Sequence, residues 1–314
     1  MFIRTRLSLR FVVLLITLII KSSPVAANGE MVDVTSLFNH HQVKRCSSDT
    51  GPLYLYPDQP LVLVVHGCRS SAGQFKALSE VYNHLGEQTA CFEYDDRVSL
   101  ETVSGELVDA INALSPIIGE ERIVVLGHSQ GGLIARRAHT QRRSDNKSLT
   151  HKNIDLVTIS APFNGINASS HCGIDWLRIA SLGLVDTICY LVTGSKYLEI
   201  PPQAEFIELP GKLAKQVQSH LVIKTDEVDT CRQYEASGEC LKEDYVFSLD
   251  EQKQNLVGIS EPIIVKAGHV EIVGNEMTTP WKLINILQEH GLMMNPDDAE
   301  LERFTQVVNK IYHN

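Results

Sequence analysis

The sequence predicts an α/β protein whose core is a doubly wound, mostly parallel sheet. Three observations carry this. Short apolar runs recur along the chain, among them Leu61–Val65 (LVLVV) and Ile123–Leu126 (IVVL), as expected of strands buried on both faces. Segments with apolar residues at helical spacing stand between them. Strands alternating with helices require parallel pairing through right-handed crossovers.

The elements follow in order. After Leu61–Val65, the residues Phe75, Leu78, Tyr82 and Leu85 make a helical stripe that Gly86 ends. Ala90–Tyr94 is the second strand, and Val103, Leu107, Ile111 and Leu114 mark the second helix. Ile123–Leu126 leads into a helix over Gly132–Thr140, and Ile154–Ser160 is the fourth strand. Leu221–Ile223 and Ile263–Val265 complete the sheet. Two packing helices are expected at the end. Thr279-Pro280 reads as an N-cap with proline at the first helical position and Gly291 as the C′ residue. Asn295-Pro296 opens the other, with Leu301, Phe304, Val308 and Ile311 on its apolar stripe.

At 314 residues and 43% hydrophobic content there is ample material for a core, so a disordered chain is ruled out. The chain begins with Arg4, Arg6 and Arg10, an apolar run Phe11–Ile20, and the small-residue exit Val25-Ala26-Ala27. This pattern predicts a secretory signal peptide over residues 1–27, the run being too short for a bilayer core of roughly 30 Å. Its loss removes four of the 28 basic residues and none of the 38 acidic ones, so the formal charge of −10 becomes −14. An acidic, secreted or periplasmic protein over residues 28–314 follows, and nucleic acid is not an expected partner. In such a compartment the seven cysteines are disulfide candidates. Cys231–Cys240 is the most local pair and Cys172–Cys189 the next; an odd count leaves at least one thiol over. No cofactor fingerprint follows any strand, and His40-His41 lacks partners at metal-ligand spacing, so neither cofactor nor metal is expected.

Chemistry enters at Gly127-His128-Ser129-Gln130-Gly131. The pattern G-x-S-x-G is common by itself. Here an apolar strand runs directly into it and a helix pattern runs directly out, the setting of a nucleophile elbow. Flanking glycines permit the tight turn that lifts a serine out of the backbone.

With its GHSQGG at 127–132, the sequence resembles the secreted lipases and esterases of the α/β-hydrolase fold, from about Leu61 to Gly274. The resemblance implies a Ser–acid–His order along the chain. Ser129 is then the nucleophile, and His269, directly after the last strand, is the base. The acid should follow the penultimate strand, where Asp226 and Asp229 stand; Asp226 is preferred, and Glu227 is expected to face away. The oxyanion donors implied are the backbone N–H groups of Gln130 and of Cys68, the latter from Val65-His66-Gly67-Cys68, where the family usually has a hydrophobic residue in place of Cys68. Cys68 is either bonded to Cys91 or the leftover thiol. His66 is expected to order the loop. Phe163, in Ser160-Ala161-Pro162-Phe163-Asn164-Gly165, stands where such lipases often carry histidine.

Residues 164–218 contain no strand pattern but many large apolar residues, including Trp176, Leu177, Leu184 and Leu191. This insertion is expected to be a helical cap or lid over the site. The reading that results is a secreted serine hydrolase cleaving carboxylic esters through an acyl-enzyme, with a small-molecule or lipid ester as partner and transient contact with a lipid interface. A thioesterase or phospholipase with the same triad is the alternative within enzymes. A non-catalytic binding or chaperone protein on this fold is the alternative outside them.

Overall fold

The structure, a computed structural model, describes residues 29–38, 42–141, 143–173, 194–253, 262–275 and 278–313. The expected signal peptide, His40-His41 and the apolar cluster from Trp176 to Leu191 lie outside the described residues, as does the proposed Cys172–Cys189 pairing.

A seven-stranded sheet organises the described chain. Its strands are β1 (Val43–Lys44), β2 (Leu61–Val65), β3 (Gln88–Phe92), β4 (Ile123–His128), β5 (Ile154–Ile159), β6 (Val217–Asp226) and β9 (Ile263–Lys266). Between the last two, β7 (Cys231–Tyr234) and β8 (Cys240–Glu243) form a separate antiparallel hairpin. The order across the sheet is β9-β6-β5-β4-β2-β3-β1. Every neighbouring pair is parallel except β1 with β3.

The longer helices of the described residues are α1 (Lys76–His84), α2 (Leu100–Ile118), α3 (Gln130–Ala138), α4 (Trp281–Glu289) and α5 (Leu301–Tyr312). They divide between the two faces of the sheet. In β2, Leu61, Leu63 and Val65 point into a core shared with α2 and α3, while Val62 and Val64 point into one shared with α1, α4 and α5. Both faces of β2 are therefore dry, which is why its sequence is apolar without alternation. Such helix-on-both-faces layering is the α/β arrangement expected from the sequence.

Several boundaries differ from expectation. The strand expected at Leu221–Ile223 is the centre of the ten-residue β6. Thr279 does not cap α4: its hydroxyl turns to Asn309 and His313, and Pro280 occupies the cap position. The last helix starts at Leu301 after a 3-10 turn, Asp298–Glu300, rather than at Asn295-Pro296.

Two disulfides are present among the described residues. Cys231–Cys240 closes the β7–β8 hairpin as expected. Cys46–Cys91 ties the end of β1 to β3, so Cys91 is not bonded to Cys68, which is free and exposed. The pairing follows from the antiparallel register, which sets Lys44 opposite Cys91. No helix of the described residues is long and apolar enough to cross a membrane.

Candidate active site

Ser129 stands at the turn from β4 into α3, with φ 57° and ψ −126°. Its N–H donates to Ile159 O at 2.8 Å, and its carbonyl accepts from Gly132 N at 2.9 Å. The turn is this tight because its neighbours lack side chains. A Cβ on Gly127 would meet Gly131 O at 2.5 Å, and one on Gly131 would meet Val65 O at 2.2 Å. The glycines let β2, β4 and α3 close on one another and leave Ser129 strained at the sheet's carboxyl edge.

Loops from the ends of three parallel strands meet there, the position where ligands bind in open α/β sheets. Ser129 Oγ lies 3.0 Å from Nε2 of His269, and Nδ1 of the same ring lies 2.9 Å from Oε1 of Glu227. All three residues are buried. With Nδ1–H donating to the carboxylate, Nε2 presents its lone pair to Ser129 Oγ.

The acid facing His269 is Glu227, so the expectation for Asp226 is corrected. Side chains alternate along β6 as it ends: Thr225 and Glu227 point inward, and Asp226 points outward to Lys266, 3.4 Å from its Nζ. Asp229 lies exposed further along the turn. Glu227 is fully hydrogen-bonded. Its Oε1 also accepts from Thr225 Oγ1 at 2.8 Å, and its Oε2 accepts from the N–H groups of Val246 and Phe247 at 2.6 and 2.8 Å.

The histidine loop has supports that the sequence did not reveal. The His269 N–H donates to the carbonyl of Asp244 at 2.9 Å. The buried carboxylate of Asp244 accepts from the N–H groups of Val270 and Glu271 and from Arg232. His128 Nε2–H donates to His269 O at 2.9 Å. Burial, with the neighbouring His269, pushes the pKa of His128 well below the ordinary imidazole value, so His128 is a neutral strut. The ring of Phe247 stands edge-on to His269 at 5.1 Å.

Gln130 follows the serine directly, and Cys68 follows Gly67, whose loop packs on Ser129. Gln130 N is the first N–H of α3 and has no intrahelical acceptor. Among the described residues, the Cys68 N–H donates to no other group. A Cβ on Gly67 would meet Ser129 Cβ at 3.0 Å, so this loop lies against the serine. His66 orders it. Its Nδ1–H donates to Gly67 O at 2.9 Å, its carbonyl accepts from Tyr94 Oη at 2.7 Å, and its ring stacks on Tyr94 at 4.3 Å. Desolvation at the sulfur raises the pKa of the Cys68 thiol, with Asp96 adding to the shift, so it is not an activated thiolate. No three His, Cys, Asp or Glu side chains converge as a metal site among the described residues.

Residues 57–196 match the profile of a family described as "Putative serine esterase (DUF676)". The matched region includes Cys68, Ser129 and Gln130; Glu227 and His269 lie beyond it. No curated protein matches the sequence. The mature form of the lipase BlEst2 from Bacillus licheniformis is 12% identical, with TM-score 0.50, over 76% of this chain and 94% of that one. Lipase B from Aspergillus fumigatus is 19% identical, with TM-score 0.45, over 81% of this chain and 57% of that one. The sheet order and the likeness to BlEst2 give the protein the α/β-hydrolase fold, and its residues 57–196 are similar to the "Putative serine esterase" family.

Proposed function

We propose that the protein is an exported serine hydrolase that cleaves carboxylic esters through an acyl-enzyme. The observation that carries this reading is the unbroken chain Ser129 Oγ–His269–Glu227, with spacings of 3.0 and 2.9 Å. His269 Nε2 takes the hydroxyl proton as Ser129 Oγ bonds to the ester carbonyl carbon. Negative charge moves to the carbonyl oxygen, toward the N–H groups of Cys68 and Gln130. Collapse of this adduct breaks the bond to the alcohol, which leaves with the proton from His269. Water then repeats the sequence on the acyl-serine, releasing the acid and restoring Ser129. Glu227 holds the tautomer, and its carboxylate favours the imidazolium.

Two disulfides in the described residues support export. The apolar residues of the 164–218 insertion support substrates with hydrophobic acyl groups and a cap or lid that meets a lipid interface. In the lid case the rate should jump above the solubility limit of a long-chain ester; smooth saturation would mark a fixed cap.

The decisive test uses a fluorophosphonate probe and a panel of p-nitrophenyl esters graded by acyl length. Wild type should be labelled and active. Ser129→Ala should lose labelling and at least about 10⁴-fold in kcat while remaining folded. A labelled alanine variant, or an inert wild type, would overturn the proposal.

A further inference from the structure

Lys196 is 3% exposed, an uncommon place for a lysine, and all three of its N–H donors are used. Its Nζ lies 2.6 Å from Gln130 Oε1, 2.5 Å from the carbonyl oxygen of Asp96 and 3.1 Å from Cys68 Sγ. The carboxylate of Asp96 stands 3.8 Å away. Two of these partners, Cys68 and Gln130, are the residues whose backbone N–H groups the ester-hydrolase reading assigns to the oxyanion. They are 62 positions apart in sequence, and Lys196 joins them through their side chains.

The segment that carries Lys196 is fixed to the same loops. Ser195 donates to Arg97 O through both its N–H and its hydroxyl, at 2.8 and 2.9 Å. Gly194 has φ 76°, and a Cβ there would meet Arg97 O at 2.3 Å, so no larger residue allows this approach. Glu199 accepts from Ser99 Oγ and from the N–H groups of Leu100 and Glu101, closing the start of α2. Asp96 in turn accepts from Arg69 N at 2.6 Å, next to Cys68. The loop at 66–69, the loop at 95–97, the start of α3 and the 194–199 segment thus form one hydrogen-bonded unit.

We infer that Lys196 is a positioning residue for the oxyanion hole. The inference rests on the ester-hydrolase reading and adds to it. Lys196 pulls the Cys68 and Gln130 side chains toward one point, which fixes the direction of their backbone N–H groups. Its positive charge, one side chain removed from both donors, has the sign that favours an oxyanion and is little screened at a buried site. Because Lys196 belongs to the 164–218 insertion, the segment expected to cover the substrate also sets the geometry of the chemistry.

The test compares Lys196→Met, Lys196→Arg and Gln130→Ala with wild type, on p-nitrophenyl butyrate and on an alkyl trifluoromethyl ketone, whose serine adduct carries an oxyanion. Lys196→Met should lower kcat by on the order of 10- to 100-fold, below the roughly 100- to 1,000-fold lost with an oxyanion donor itself. KM should stay within about threefold, and affinity for the ketone should fall in parallel with kcat/KM. Lys196→Arg should recover most of the loss. Gln130→Ala keeps its backbone N–H but severs the link, so it should show the same split and decides the matter if Lys196→Met does not fold. A folded Lys196→Met or Gln130→Ala with kcat within twofold of wild type, or with ketone affinity unchanged, would overturn the inference. Wild type that hydrolyses no ester would instead overturn the ester-hydrolase reading.

Discussion

The carboxylate of Glu227 meets the imidazole of His269 edge to edge, with Oε1 2.9 Å from Nδ1. Its other oxygen is held by two backbone N–H groups, so the carboxylate cannot swing away without leaving them unpaired. Glu227→Gln keeps the shape but can offer Oε1 or an amide to the ring, and it removes the negative charge that favours the imidazolium. It should lower kcat by on the order of 10³- to 10⁴-fold. Asp226→Asn and Asp229→Asn should stay within about threefold, because both side chains point to solvent. Steady-state rates of the three variants check this, and a larger loss in Asp226→Asn would return the role to that residue.

The elbow was legible because its requirements are local: an apolar strand, two glycines and a serine all fall within ten residues. The acid was not. Whether residue 226 or 227 faces inward depends on where β6 ends and on the parity of its pleat. Three apolar residues, Leu221–Ile223, do not define a strand that runs from Val217 to Asp226. The inward run Thr225-x-Glu227 was the available signal. Cys46–Cys91 was hidden for a related reason, since it depends on a two-residue strand too short to read in sequence. Lys196 and Asp244 are a lysine and an aspartate outside any motif, and only the tertiary arrangement brings them to the site.

Buried histidines predict how stability depends on pH. Burial, with the charge of nearby Arg136, lowers the pKa of His139 to about 4 and that of His220 to about 3. His128 is also lowered. In the unfolded chain each titrates near 6.5. Below about pH 6.5 the unfolded state therefore holds protons that the folded state refuses, and stability is lost as pH falls. Each such histidine should cost about 1.4 kcal/mol between pH 7.5 and 5.5. Thermal unfolding across this range should show Tm falling with acid. His220→Gln, which can still bond Thr158, should flatten the dependence by about one proton. An unchanged slope in that variant would show that His220 accepts its proton while folded.

The hairpin formed by β7 and β8 should support catalysis from outside the site. Asp244, just past β8, gives its carbonyl to the His269 N–H and its carboxylate to the N–H groups of Val270 and Glu271. Arg232, on β7, binds the same carboxylate at 2.7 Å, and the Cys231–Cys240 disulfide holds the two strands together beside it. Asp244→Asn keeps one acceptor oxygen but loses the charge, leaving part of the N–H set and Arg232 underused. That should cost about 1–3 kcal/mol of stability. It should also lower kcat by more than KM changes, since the imidazole would be held less firmly. Gly268→Ala offers a cleaner displacement, because a Cβ there would meet Asp244 Oδ2 at 2.2 Å without altering any charge. Its kcat should fall in the same way. Replacing both Cys231 and Cys240 by serine should give a smaller loss of the same kind, as the hairpin keeps its backbone pairing. Rates and Tm measured on the three variants separate the effects. If stability falls in all three while kcat at a temperature well below Tm is unchanged, the hairpin holds the fold and not the histidine.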